Sequence, residues 1–380
     1  MAMALTKIRI EAVIYEAHPD AADETGNFLT VATNGVDALR TLDAEQAATA
    51  TGFPTTAMVL WSGTGKRLGS AIVSMTRPDG TTGYTLKRAD LYQCLRDLAV
   101  SRGVRIEHGK QLTAASDTRQ SVVAQFADGS EDSADILVGC DGIRSTVRTV
   151  IDQAAPDPKY AGLINLGGFV NGIDVPAAPG TYHMIFGARA FFGYALSPDG
   201  EVWWFANVPE RTEPHRGALG EISSDAWKMR LLDLFTGDFG PARQLIEATS
   251  HELRASAVHT LAHLPSWHNK RMIVIGDAAH APSPSSGQGA SLSVEDAVLL
   301  ARCLRGSPQP VEAFEAFTAL RRRRVERIIK QAARVNNSKA ATGMSRVARD
   351  ALLPHILKFV ANSRQTRDLY GYHIEWGPKP

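Results

Sequence analysis

The chain has 380 residues, enough to bury a sizeable core and to divide into two packed domains. Its 44% hydrophobic and 21% charged residues are ordinary for a soluble globular protein, and no apolar run reaches the roughly 18 residues that span a bilayer. A formal net charge of +1 argues against capture of nucleic acid or of an anionic membrane as the main activity.

In chain order, "AMALTKI" reads as helix and "EAVIYEA" (11–17) as a short buried strand closed by Glu16. Lys7, Arg9 and Glu11 interrupt this opening too often for a signal peptide, so the protein reads as cytoplasmic. "NGVDALRTLDAEQAATAT" (34–51) has helical spacing, and "RADLYQCLRDLAVSRG" (88–103) is an amphipathic helix with Leu91, Leu95 and Leu98 on one face. "VRIEHGKQL" follows as a strand, and "SVVAQFADGSEDSADILVGCDG" as a hairpin running into the buried strand "ADILVGC". Between about 155 and 265 the chain turns β-rich, aromatic and punctuated by Gly and Pro, the pattern of an antiparallel sheet covering a ligand. "RMIVIGDAAHAP" returns to a buried strand before "SLSVEDAVLLARCLR" and a helical, Arg-rich tail. The expected class is therefore α/β, split between 1–154 and 266–340, with a mostly antiparallel β-sheet domain inserted at 155–265 and a helical segment at 341–380. The run of four arginines at 321–324 falls within helical periodicity and reads as a solvated helix face. Cys94, Cys140 and Cys303 are widely spaced and read as buried small hydrophobic residues, with neither a disulfide framework nor a metal site.

Three patches carry chemistry. Glu16 ends a strand, where an acid can accept hydrogen bonds from ribose hydroxyls; a strand-terminal Glu is also often just solvated. In "ILVGCDGIRSTVR" (136–148) a strand delivers Asp141-Gly142 ahead of a helix, so Gly142 permits close backbone approach and Asp141 can orient a helix start or a cofactor. The most specific patch is "RMIVIGDAAHAPSPSSGQGASLSVEDAVLLARCL" (271–304). There a strand delivers Gly276-Asp277, and after Pro282 and Pro284 the segment Ser285-Ser286-Gly287-Gln288-Gly289 opens a helix. Small residues let the backbone approach a flat cofactor, Asp277 can bond the hydroxyls of a sugar-like chain, and the helix-start amides stabilise anionic density. His280 reads as a loop-ordering histidine.

This last patch resembles the "GDAAH…P…GQG…EDA" segment of FAD-dependent aromatic hydroxylases, the class A flavoprotein monooxygenases of the para-hydroxybenzoate hydroxylase type. "ILVGCDGIRSTVR" resembles their Asp-Gly motif, "LKRADLYQCL" a segment whose arginine, here Arg88, lies near the FAD, and "FLTVATNGVDALRTL" the stretch after their second strand. The resemblance runs from about residue 4 to "LYGYHIEW" and implies a Rossmann-like FAD-binding domain beneath a substrate sheet. It implies cofactor contacts by Glu16, Arg88, Asp141, Gly142, Asp277, Pro284, Gly287, Gln288 and Gly289. It also implies NAD(P)H as reductant and oxygen transfer through a flavin C4a-hydroperoxide to an aromatic or polyketide-like small molecule. His183, Phe192, Tyr194, Trp203 and Phe205 are candidates to line the substrate chamber, each also readable as plain sheet packing, and no catalytic residue is assigned.

In the family a strand and GxGxxG loop precede the strand ending in Glu by about 20 residues. No glycine lies between Met1 and Glu16, so that first strand and loop are missing here. FAD is accordingly expected to be held weakly or to have been lost, unless a segment outside this chain supplies the loop. The alternative function is then a flavin-free cyclase, isomerase or binding protein that keeps the substrate chamber.

Overall fold

The computed structural model describes residues 1–19, 28–118, 120–339 and 364–377. Helix α1 (Ala2–Lys7) leads into strand β1 (Val13–Tyr15), and β2 (Phe28–Val31) into helices α2 (Thr33–Thr41) and α3 (Glu45–Thr49). Two helices thus stand where one was expected, because Asp43 adopts a left-handed conformation (φ 52°), a geometry that Asp tolerates better than most residues. Next come β3 (Phe53–Pro54), β4 (Ala57–Ser62), β5 (Arg67–Ile72), β6 (Tyr84–Lys87), α4 (Arg88–Ser101) and β7 (Arg105–Glu107). An antiparallel meander of β8 (Leu112–Asp117), β9 (Val122–Phe126) and β10 (Glu131–Ala134) precedes β11 (Leu137–Gly139) and α5 (Thr146–Ile151).

The inserted segment supplies β12 (Lys159–Val170), β13 (Thr181–Phe186), β14 (Phe191–Leu196) and β15 (Val202–Pro209). Two helices that the sequence pattern did not reveal follow, α6 (Ser224–Leu234) and α7 (Ala242–Ala248), and then β16 (Ser256–Thr260). The chain returns through β17 (Met272–Val274) to α8 (Gly289–Gly306), the long α9 (Pro310–Lys339) and α10 (Arg364–Tyr370). Of the helical segment expected at 341–380, residues 341–363 and 378–380 lie outside the described residues, and Gly371–Gly377 continue without helix.

Two parallel pairs, β1 with β7 and β11 with β17, form the α/β part, packed on a core that α8 and α9 fill with Leu292, Leu299, Leu300, Phe314 and Phe317. Met272–Val274 of β17 are buried throughout, which is why "MIV" reads as a continuous apolar run, while Leu137 and Val138 of β11 are half-buried beside it. The large sheet has seven strands in the order β16-β12-β15-β14-β13-β4-β5, so residues 57–72 contribute two of its strands. One face is covered by α6 and α7 through Trp227, Leu231, Phe235, Leu245 and Ile246. The other face turns toward β2 and β6: the Tyr182 hydroxyl meets Thr30 Oγ1 at 3.1 Å and Thr85 Oγ1 at 2.9 Å. Among the described residues no helix is long and apolar enough to cross a membrane.

Candidate active site

Parallel strands deliver their loops at their carboxyl ends, and ligands of open α/β sheets bind there. Glu16, Asp141-Gly142 and Asp277 all occupy such ends, after β1, β11 and β17 respectively. Glu16 is half-buried, and one carboxylate oxygen accepts the His18 amide at 3.0 Å. Asp141 accepts the Val147 amide at 3.0 Å and the Ser145 hydroxyl, while Ser145 caps α5 by accepting the Arg148 amide at 2.9 Å. Its carboxylate therefore orients a helix start, and Gly142 beside it has a left-handed backbone (φ 75°) with no atom within 4 Å of where a Cβ would stand.

Asp277 is exposed, yet it is closely surrounded by buried neighbours. The surrounding walls desolvate it and push its carboxyl pKa up, while the nearby His280 and Arg88 charges pull the other way. Arg88 opens α4 and is exposed. Pro284 starts a single helical turn that ends at Gly287, left-handed at φ 59° and with nothing within 4 Å of a notional Cβ. Gln288 caps α8 and is almost wholly buried; its Oε1 accepts Asn34 Nδ2 at 3.0 Å. Its Nε2 has no hydrogen-bond partner among the described residues. A Cβ on Gly289 would stand 3.9 Å from Asp277 Oδ1, so this helix start lies beside the Asp277 carboxylate. Cys140, expected to be buried, is instead an exposed residue next to Asp141, because the strand ends at Gly139, although the atoms around its thiol still desolvate it and push its pKa up.

Behind these loops lies a charged network that the sequence reading assigned to solvent. Arg321 and Arg324 are not a solvated face: Arg321 has no exposure at all, and both point inward from α9. Arg321 donates to Asp296 Oδ1 and Glu295 Oε2, each at 2.6 Å, and Arg324 donates to Glu295 Oε1 at 2.9 Å. Burial alone would raise the Asp296 carboxyl, but Arg321, His280 and the Gly276 amide outweigh it and hold its pKa at about 2. His280 Nε2 lies 2.6 Å from Asp296 Oδ2, and Asn34 Nδ2 donates to Glu295 Oε1 at 2.7 Å. Sequence reasoning also passed over Arg148, which donates to Ala278 O at 3.0 Å and Ile143 O at 2.9 Å and so ties the Asp-Gly loop to the Gly-Asp loop. A cue existed for Asn34: Asn-Gly inside a helical stretch is costly unless the pair has a task.

The five candidate chamber residues separate by sheet face. His183, Phe192 and Tyr194 lie on the side that α6 and α7 cover, with Phe192 edge-on to Phe235 at 5.3 Å and His183 accepting Trp61 Nε1 at 3.3 Å. Register puts them there: His183 opposes Tyr194, which opposes Trp204. They pack the helices and do not face the cofactor loops. Trp203 and Phe205 lie on the other face, where Phe28 of β2 meets them at 5.6 and 5.9 Å between ring centroids. The row through Phe205 reads Leu60, Met184, Gly193, Phe205 and Gly167 across five strands. The row through Trp203 reads Met58, Tyr182, Ala195, Trp203 and Phe169. Met58, Met184 and Phe205 lie mid-sheet yet stay partly accessible, while Leu60, Tyr182, Ala195 and Trp203 beside them are buried.

A sequence-family model described as "FAD binding domain" matches residues 1–332. This chain belongs to that FAD-binding family. The flavoprotein is 29% identical over 323 residues to the aurachin C monooxygenase/isomerase of Stigmatella aurantiaca, covering 84% of this chain and 81% of that protein. It is 30% identical over 244 residues to the salicylate hydroxylase of Pseudomonas putida, covering 58% of this chain and 56% of the other. Its fold matches that of Klebsiella pneumoniae HpxO crystallised with FAD and uric acid, with a TM-score of 0.81 at 24% identity, over 93% of this chain and 89% of that one. The flavoprotein is an enzyme of the FAD-dependent monooxygenase type. Its residues fit the cofactor: two open glycine turns, an accessible Asp277 acceptor and the buried Gln288 Nε2, without a partner among the described residues, all stand at the loops where a flavin would lie.

Proposed function

We propose that this protein hydroxylates an aromatic or polyketide-like small molecule, using FAD and NAD(P)H. One observation carries the reading. The short segment from Phe28 to Asn34 touches the aromatic face of the large sheet at one end and the Gln288 loop at the other. That segment thus links the loop that would hold the flavin to the aromatic face.

FAD held there would supply the activation of dioxygen, with NAD(P)H as its reductant. The chain's own residues bind and orient. Asp277 accepts hydrogen bonds from the hydroxyls of the sugar-like chain, and Glu16 from the ribose. The amides opening α8 favour negative charge on the ring system, and Gly142 and Gly287 let the backbone approach. The apolar face excludes water from the reacting region.

The test is to load the purified protein with FAD and measure NAD(P)H consumption with and without aromatic compounds, in air, while analysing products. Stimulated consumption coupled to a hydroxylated product supports the reading. A colourless protein that refuses added FAD, yet converts a substrate without NAD(P)H, would overturn it in favour of a flavin-free cyclase or isomerase.

A further inference from the structure

Taking the partly accessible patch around Met184 and Phe205 as the substrate floor of the monooxygenase proposed above, we propose that the substrate is an uncharged aromatic ring system and that Met184, Gly193 and Phe205 set this preference. The two rows through Phe205 and Trp203 hold no carboxylate, ammonium, guanidinium or imidazole. In the third row, Ser62, Phe186, Phe191, Asn207 and Asn165, the polar groups are all neutral, and Asn207 Nδ2 already donates to Asn165 Oδ1 at 2.9 Å. One phenol is present, but the Tyr182 hydroxyl is buried against Thr30 and Thr85.

A cation does touch this face. Lys87 Nζ stands 4.6 Å from the Phe169 ring centroid and 5.4 Å from that of Trp203. It is spent, however: Glu201 Oε2 lies 2.8 Å from Lys87 Nζ and also accepts Trp203 Nε1 at 2.7 Å. A substrate carboxylate would have to displace Glu201 or lie unpaired on an apolar surface, and unpaired buried charge is strongly disfavoured.

The floor's shape comes from a glycine. A Cβ on Gly193 would meet Phe205 Cε1 at 2.4 Å and Met184 Sδ at 2.9 Å, so the ring and the thioether both lie over the bare backbone. That leaves a flat, polarisable surface suited to stacking an aromatic ring, with methionine adapting to its outline.

The probes are naphthol and hydroxynaphthoate, the same ring system without and with a carboxylate, titrated into the FAD-loaded protein without NAD(P)H. Binding is read from the flavin absorbance change and tryptophan fluorescence. Naphthol is expected to bind at least about tenfold more tightly, and Met184→Arg to reverse the order. Phe205→Ala, less prone to misfold, is expected to weaken naphthol by about tenfold and hydroxynaphthoate far less. Equal or tighter binding of hydroxynaphthoate by the unaltered protein, or no effect of either variant, would overturn the proposal. Naphthol that binds but gives no oxygenated product once NAD(P)H is added in air would instead count against the monooxygenase reading and leave this one standing.

Discussion

Asp277 joins two roles in one side chain, because the crowded surroundings of the carboxylate that would make it a ligand also make its charge costly. Its raised pKa means that the folded state binds more protons than the unfolded one between the ordinary carboxylate range and the raised value. The cofactor-free protein therefore loses stability as pH rises through that window. Asp277→Asn removes the cost, so its melting temperature should exceed the parent's at neutral pH and match it in strong acid. The carboxylate still touches water, so the gain should stay under about 1 kcal/mol. Asp277→Ala, which removes the acceptor, should weaken FAD binding by roughly tenfold, measured by flavin titration. Arg148→Met acts differently, because it leaves Ala278 O and Ile143 O without their buried donor. It should cost about 1–3 kcal/mol in thermal unfolding and also loosen FAD, since both cofactor loops lose their tie. Unchanged FAD affinity in Arg148→Met would remove that residue from the account.

At the scale of elements, α9 supports the flavin loop through charge rather than apolar packing alone. Arg321→Met should destabilise the fold by about 3–5 kcal/mol, because Glu295 and Asp296 would remain buried without their main partner. Asp296 contributes its stability fully above the ordinary carboxylate range and loses it as pH falls through its folded value of about 2. An acid titration of Asp296→Asn should accordingly show a shallower fall in stability than the parent. This network was not legible in "RRRR", since helical spacing says which residues share a face but not what the facing helix carries. The loops were legible for the opposite reason: a buried strand followed by Asp-Gly or Gly-Asp has few backbone solutions. Sheet faces were ambiguous again. "FFGYAL" is apolar on both sides, so alternation could not reveal that Phe192 points to α6 and α7, and only the pairing of β14 with β13 and β15 decides it.

Across the whole molecule, the stretch 364–377 is strapped to both ends of the cofactor-facing half. Arg324 donates to Asp368 O at 3.1 Å and Leu369 O at 3.0 Å and stacks 3.9 Å from the Tyr372 ring centroid. Arg77 donates to Tyr372 O at 2.8 Å and pairs with Asp37, and Arg305 holds Trp376 O at 3.2 Å. Because Arg324 also grips Glu295, the strap and the flavin loop share one anchor. Arg324→Ala should raise hydrogen exchange over 368–377 and at the start of α8 together; exchange confined to the strap would separate the two. Joined in this way, the α8–α9 network, the loops it supports and the aromatic face are proposed to work as one site, with the oxygen chemistry taking place between those loops and that face. The most direct measurement supplies the FAD-loaded protein with NAD(P)H, an uncharged aromatic substrate and isotopically labelled dioxygen, and follows the label by mass spectrometry. The account predicts one labelled oxygen atom in the hydroxylated product. Product whose new oxygen comes from water, or conversion that proceeds without dioxygen, would contradict it.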